Sequence, residues 1–320
     1  MNVSSKLSVL TGIWFAGVVA VLYVASTGAL CDSQLAAEAE GILAHQHAYF
    51  QSISSLEFRL TTTQDYAGEG SVGQRTTSTE TKFIHVGGKY LVEVTPMNTG
   101  AGAGVSVTRA YDGELYQTLA SNGGKKQLIV SRARPERFHY GNAHPLLTLE
   151  YYATGCGKEN SIAGMKGAGG WSELAPSVSS ISQSAIRGWD GVERTGTVLR
   201  MRRPYNCGEG SESEIEYSVV LDPDLGYLPS RWEATTSSGR WFDCHVADVA
   251  KIRTASGEIA FPLRLERTFY GADGELTGTM TLEVDKDSLR VNEPVDESVF
   301  TLPRIGTYYI DVDAGIEMQL

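Results

Sequence analysis

Histidines, cysteines and clustered glycine-lysine residues are where this chain could hold reactive chemistry, and their spacing decides what they can do. His45-Gln46-His47 is the tightest histidine pair. On a helix, residues two apart point about 200° away from each other, so these imidazoles do not reach one metal ion. His85, His139, His144 and His245 are scattered, without cysteine or acidic partners at ligand spacing. No metal and no cofactor is expected. Nucleophilic catalysis also lacks its parts. There is no Gly-x-Ser-x-Gly elbow, and the one cysteine beside a base, Cys244 with His245, sits in a strand pattern that turns the two side chains to opposite faces. Gly123-Gly124-Lys125-Lys126 lacks the spacing of a phosphate-binding loop and reads as a hairpin turn. Paired carboxylates for glycoside hydrolysis need not be close in sequence, so their absence is not readable. The expectation is a protein that is not an enzyme.

The amino terminus sets the compartment. Lys6 precedes an apolar run from Leu7 to Ala25 that carries no charge. Such a run partitions into a bilayer with its basic flank left in the cytoplasm, so the rest of the chain is exported to the periplasm or cell envelope. The run is longer than a usual signal core and close to spanning length. Residues 1–31 therefore read as a signal peptide, cut after Ala29 or Cys31, or as an uncleaved inner-membrane anchor through residues 7–25. Lipid modification of Cys31 is a third outcome, with Leu30 standing where a small residue is usual. Export permits disulfides. Cys156 (Thr-Gly-Cys-Gly) and Cys207 (Asn-Cys-Gly-Glu) lie in loop contexts and are the expected pair, and Cys244 between Phe242 and Val246 is a small core residue.

A net charge of −11 argues against a nucleic-acid surface, which needs clustered lysine and arginine. The basic clusters at Arg132 to Arg137 and Arg200 to Arg203 are interleaved as strand-face or loop charge. The 35 glycines, with abundant threonine, serine and valine, favour strands and turns. One amphipathic helix comes first, from Ser33 to about Ser54, with Leu35, Ala39, Ile42, Leu43, Phe50 and Ile53 on one stripe. Alternation follows at Leu56-Phe58-Leu60, Phe83 to Val86, Tyr90-Val92-Val94, Leu128-Val130, Leu199-Met201, Tyr217-Val219-Leu221, Phe242-Cys244-Val246, Leu263-Leu265 and Met280-Leu282-Val284. Short polar-glycine links between these runs, such as Gly87-Gly88, Asn122-Gly123-Gly124 and Asp273-Gly274, close antiparallel hairpins. The expected fold is mainly β. It is a strongly curved antiparallel sheet, an incomplete barrel of about ten or more strands, meandering between consecutive neighbours. The first helix and a second short one, Pro145 to Tyr152, cover it. A Gly/Ser-rich insertion is expected near 155–184, the domain runs 32–303, and 304–320 is an extension with a strand-like piece at Tyr308 to Asp313.

Several short motifs carry a resemblance. Tyr111-Asp112-Gly113-Glu114-Leu115-Tyr116, Leu221-Asp222-Pro223-Asp224-Leu225-Gly226-Tyr227-Leu228-Pro229 with Arg231 and Glu233, and Asp296-Glu297-Ser298-Val299-Phe300-Thr301-Leu302-Pro303, in that order after a helix, resemble the outer-membrane lipoprotein carrier superfamily. The resemblance implies an incomplete barrel whose apolar cavity holds acyl chains of lipids or lipoproteins, with an envelope protein as a further partner. No arginine matches the carriers' latch between barrel and helix. Superfamily members also include sensor domains, so a membrane-anchored, non-enzymatic interaction module on the same scaffold stays open. The residues expected to face the cavity, taken from the apolar register of each strand, are Leu56, Phe58, Leu60, Tyr90, Val92, Val94, Leu199, Met201, Leu263, Leu265, Met280, Leu282 and Val284.

Overall fold

The computed structural model describes residues 35, 37–42, 44, 45, 48, 49, 52–66, 75–97, 104–132, 178–205, 213–237, 239–255, 257–271, 273–304 and 306–319. The described residues from 35 to 49 are helical. Strands follow as β1 (Ser55–Tyr66), β2 (Arg75–Val86), β3 (Lys89–Pro96), β4 (Ser106–Tyr111), β5 (Tyr116–Asn122) and β6 (Lys125–Ser131). A second series comprises β7 (Val178–Arg187), β8 (Glu193–Tyr205), β9 (Ser213–Asp222), β10 (Leu228–Thr236), β11 (Gly239–Thr254), β12 (Gly257–Tyr270) and β13 (Leu276–Val284). Three short strands close the chain: β14 (Arg290–Val291), β15 (Tyr308–Asp311) and β16 (Ile316–Gln319).

Turn chemistry explains the hairpins. Val86 pairs with Lys89 across Gly87-Gly88, and Asn122 pairs with Lys125 across Gly123-Gly124. A two-residue link of this kind needs φ above zero at both central positions, and these glycines take 56° and 92°, then 55° and 84°. Side chains larger than hydrogen are disfavoured there, so the glycine pairs set the strand register.

Among the described residues, all sixteen strands belong to one unclosed curved sheet, in the order β16-β15-β6-β5-β4-β3-β2-β1-β13-β12-β11-β10-β9-β8-β7 with β14 beside β1. Within β1 to β6 and within β7 to β13, consecutive strands are neighbours, as expected. The whole is not one continuous meander. The two runs join where β1 pairs with β13, from Leu60 opposite Val284 to Tyr66 opposite Gly278. β1 has two long edges, the hairpin to β2 satisfies only one, and β13 meets the backbone donors and acceptors of the other. Nor is the sheet wholly antiparallel, because β15 runs parallel to β6. Residues 304–320, read as an extension, thus add two strands to the same sheet.

The expected insertion near 155–184 also ends earlier than its composition implied. Val178–Arg187 is β7, paired with β8 along its length. Serine and alanine there are exposed or half-buried on an outermost strand, where little apolar burial is demanded. The second expected helix, 145–152, lies outside the described residues, as do residues 155–177.

Two apolar layers result. The larger covers the inner face, bringing β1, β2 and β3 into one cluster with β8 to β13. The smaller lies on the opposite face of β2 to β6, where Ile84, Leu91, Ala110, Leu128 and Val130 are covered by Phe300, Leu302 and Tyr309. The Asp296 to Pro303 motif builds that cover. Asp296 caps the 3-10 turn Glu297–Phe300 by accepting from the Ser298 amide at 3.0 Å. Gln117 then clamps the following backbone, donating to the Phe300 carbonyl and accepting from the Leu302 amide, both at 3.0 Å.

Candidate ligand compartment on the inner face

Twelve of the residues expected to face a cavity are buried in the larger cluster: Leu56, Phe58, Leu60, Tyr90, Val92, Leu199, Met201, Leu263, Leu265, Met280, Leu282 and Val284. Val94 is partly buried against the same cluster. The period of two placed each side chain on the inner face, and sheet curvature brought the faces together. Phe58 on β1 stacks on Phe83 of β2 at 5.2 Å between ring centroids and meets Phe261 of β12 at 5.7 Å.

The amino-terminal helix lies on this layer. Ala39 is buried, and Leu35, Ile42 and Tyr49 pack partly buried against the cluster. Ile53, past the helix end, is buried in it too; Leu43 and Phe50 of the expected stripe fall outside the described residues. The Tyr49 hydroxyl donates to the Ala260 carbonyl on β12, and burial pushes its pKa up. His45 stacks on Tyr227 with centroids 5.1 Å apart. Tyr227 follows Gly226, which adopts φ 66° and leaves room for the Tyr49 ring, since a Cβ there would sit 3.3 Å from Tyr49 Cδ2. The turn in the Leu221 to Pro229 motif is therefore the seat of the helix. Asp222 shapes it, capping the 3-10 turn Pro223–Leu225 by accepting from the Asp224 amide at 3.0 Å.

Arg267 is among the inward residues that escaped the sequence reading. Arg267 is two residues beyond Leu265 on β12, hence on the same face, and is 1 % exposed. Its guanidinium carbon lies 5.9 Å from the Phe242 ring centroid and 5.6 Å from that of Phe269. Continuing the odd-numbered register of Leu263 and Leu265 was signal enough to place it. Cys244, the strand partner of Arg267, is buried and free. Burial pushes its thiol up to about 12, with the neighbouring guanidinium pulling the other way. His245 turns to the outer face and pairs with Glu266 at 3.3 Å, so thiol and imidazole stay apart as expected. Cys244 is accordingly expected to resist iodoacetamide in the native protein at pH 8 and to react on unfolding. Peptide mapping after pulse alkylation reads this, and fast native labelling of Cys244 would show that the inner face is open to water there.

Cys156 and Cys207, and hence their expected bridge, lie outside the described residues, as do His47, His139, His144 and the apolar run 7–25. Among the described residues no group of three potential ligands could hold a metal ion, and no helix is long and apolar enough to cross a membrane. The outer face of β7 to β11 carries a groove of about 800 Å³ lined by Ile186, Trp189, Val198 and Val220 together with Arg231 and His245. Ser230 and Ala247, the extra residues where the β10 and β11 registers shift, also line it. Arg231 is already held there by Glu233 and Asp243, each at 2.7 Å.

No protein-family model and no curated protein sequence matches this chain. Solved structures do. A domain provisionally named an outer membrane lipoprotein-sorting protein, from Vibrio parahaemolyticus, is 12% identical over 83% of this chain and 97% of its own, with a TM-score of 0.45. A DUF1329 family protein from Desulfovibrio piger is 9% identical over 85% of this chain and 96% of its own, with a TM-score of 0.41. The lipoprotein LppX of Mycobacterium tuberculosis is 11% identical over 83% of this chain and 98% of its own, with a TM-score of 0.29.

Proposed function

We propose that this chain is an exported, non-enzymatic binding protein of the cell envelope, an incomplete barrel that takes up acyl chains of lipids or lipoproteins. The observation that supports it is a continuous apolar inner face on a sheet that its own strands do not close, with an amphipathic helix lying on that face. A closed sheet would bury the same face without a helix. Among the described residues the helix places Leu35, Ala39, Ile42 and Tyr49 against that face, where an acyl chain would take their place. An acyl chain replacing it gains on the order of 25 cal/mol for each Å² of apolar surface removed from water. Export rests on Lys6 and the 7–25 run, and the same run attaches the protein to the inner membrane where it stays uncleaved.

Near-complete burial of Phe58, Leu199 and Leu265 favours a second reading, in which the inner face is a packed core and the protein an anchored interaction module. Leu265→Trp separates the two. On the carrier reading, the indole occupies ligand space, so uptake of a fluorescent fatty acid weakens while the melting temperature stays near that of the wild type. In a packed core the same change overpacks and costs about 1–3 kcal/mol. A large drop in melting temperature, together with no fatty-acid binding by the wild type, overturns the carrier reading.

A further inference from the structure

Across the inner face, Trp232 on β10 pairs with Cys244 on β11, which pairs with Arg267 on β12. These three side chains form one row, with Met280 of β13 continuing it beside Arg267. Strands lie ~4.8 Å apart, so Trp232 and Arg267 are separated by about 10 Å along the row. Trp232 is 2 % exposed, and its indole Nε1 has no hydrogen-bond acceptor among the described residues. An indole N–H usually finds a partner when buried, so a lone one inside an apolar layer is a donor awaiting an acceptor. Arg267 adds a guanidinium to the same row, a cationic group that only donates. Between them the Cys244 thiol is a weak donor.

This row therefore offers hydrogen-bond donors and a positive charge in the middle of an otherwise apolar wall. For a core alone such a composition is costly, because methionine or leucine at position 267 would fill the volume without desolvating a charge. For a compartment that receives amphiphiles it has a use. Fatty alcohols and methyl esters bring a neutral head that gains little from a guanidinium. A carboxylate or phosphate brings acceptors and the opposite charge, and in a low-dielectric setting both count for more than in water.

Building on the acyl-binding reading above, we propose that the inner face selects amphiphiles with an anionic head, seated on the row Trp232, Cys244 and Arg267 with the tail along the apolar wall. Arg267 supplies the charge and Trp232 an oriented donor. The head is defined here by its anionic oxygens, which a fatty acid and a phosphate monoester share.

Displacement of the neutral probe N-phenyl-1-naphthylamine tests it on the full chain in detergent-free buffer. Palmitate, hexadecyl phosphate and 1-hexadecanol share one tail and differ in the head. The wild type is expected to be emptied of probe by palmitate or hexadecyl phosphate at a concentration at least about tenfold below that of hexadecanol, a difference of roughly 1.4 kcal/mol. Whichever anion displaces at the lower concentration identifies the head as carboxylate or phosphate. In Arg267→Met the preference falls toward one while hexadecanol still displaces. In Arg267→Lys, which keeps the charge, most of it remains, and Trp232→Phe lowers it. Equal displacement by palmitate, hexadecyl phosphate and hexadecanol in the wild type overturns the headgroup site and leaves acyl binding standing. A preference that survives in Arg267→Met overturns it as well. Absence of uptake of probe and of all three amphiphiles overturns both readings together.

Discussion

Replacing Phe58 with alanine is expected to destabilise the protein by about 3–5 kcal/mol, the usual cost of removing a buried phenylalanine and leaving its volume empty. Phe58 is 0 % exposed, with Phe83 stacked on one side and Phe261 tilted against it. Its position enlarges the effect. β1 joins the two halves of the sheet, pairing with β2 on one side and with β13 and β14 on the other. Loss of the ring therefore loosens the contact between β2 and β12 together with the strand that connects them. Urea titration followed by circular dichroism measures the change as a lower midpoint with the same slope. A change below about 1 kcal/mol would mean that the ring lines a space already empty, and would favour an open compartment over a filled one.

The second large effect is expected at Asp222. Its side chain is fully buried on the outer face, accepting from the Asp224 amide and, at 3.2 Å, from Arg194 Nη1. Arg194 also pairs with Asp190 and with Asp224. Asp222→Ala removes the cap of the turn that seats the amino-terminal helix and one partner of a buried ion pair. A loss of about 3 kcal/mol is expected, at the lower end for such pairs because Arg194 keeps two other carboxylates. Weakened seating should show separately, as greater exposure of Tyr227 to quenchers or faster amide exchange in the described helical segment. If stability falls and the helix stays as protected as before, the turn is not what holds it.

Acidity adds a sign to this prediction. Burial, the largest influence, raises the Asp222 carboxyl above its ordinary value, while the Asp224 amide and the Arg194 charge pull it down. A carboxyl whose folded value exceeds its unfolded one binds its proton more tightly when folded. The stability it contributes through protonation is fully present below the unfolded value, near 3.9, and is lost as pH rises through the folded value. In Asp222→Asn that loss disappears, so wild-type and variant stability curves diverge in the acid range and run parallel above it.

Much of the inner face was legible in the residues alone. Leu56-Phe58-Leu60 and Met280-Leu282-Val284 alternate strictly, and a period of two assigns side chains to one face whatever strand lies next door. Glycine pairs at 87–88 and 123–124 announced their hairpins for an equally local reason, since few other residues tolerate φ above zero twice in succession. The separation of Cys244 from His245 followed from the same alternation. Each of these properties belongs to a few consecutive residues.

What joins distant residues was not legible. The pairing of β1 with β13 and the parallel docking of β15 on β6 depend on which free edges remain once hairpins have formed, and no local pattern records that. The outer layer of Ile84, Leu91 and Leu128 was hidden because its cover, Phe300 and Leu302, comes from the far end of the chain. β7 was missed because a strand at the margin of a sheet needs little apolar surface to be a strand. Arg267 shows the division most clearly. Its register could be counted from Leu265, and so its face was determined by sequence. Its near-complete burial, on a row with Trp232 and Cys244, exists only because β10, β11 and β12 pair in that register and the sheet curves over them.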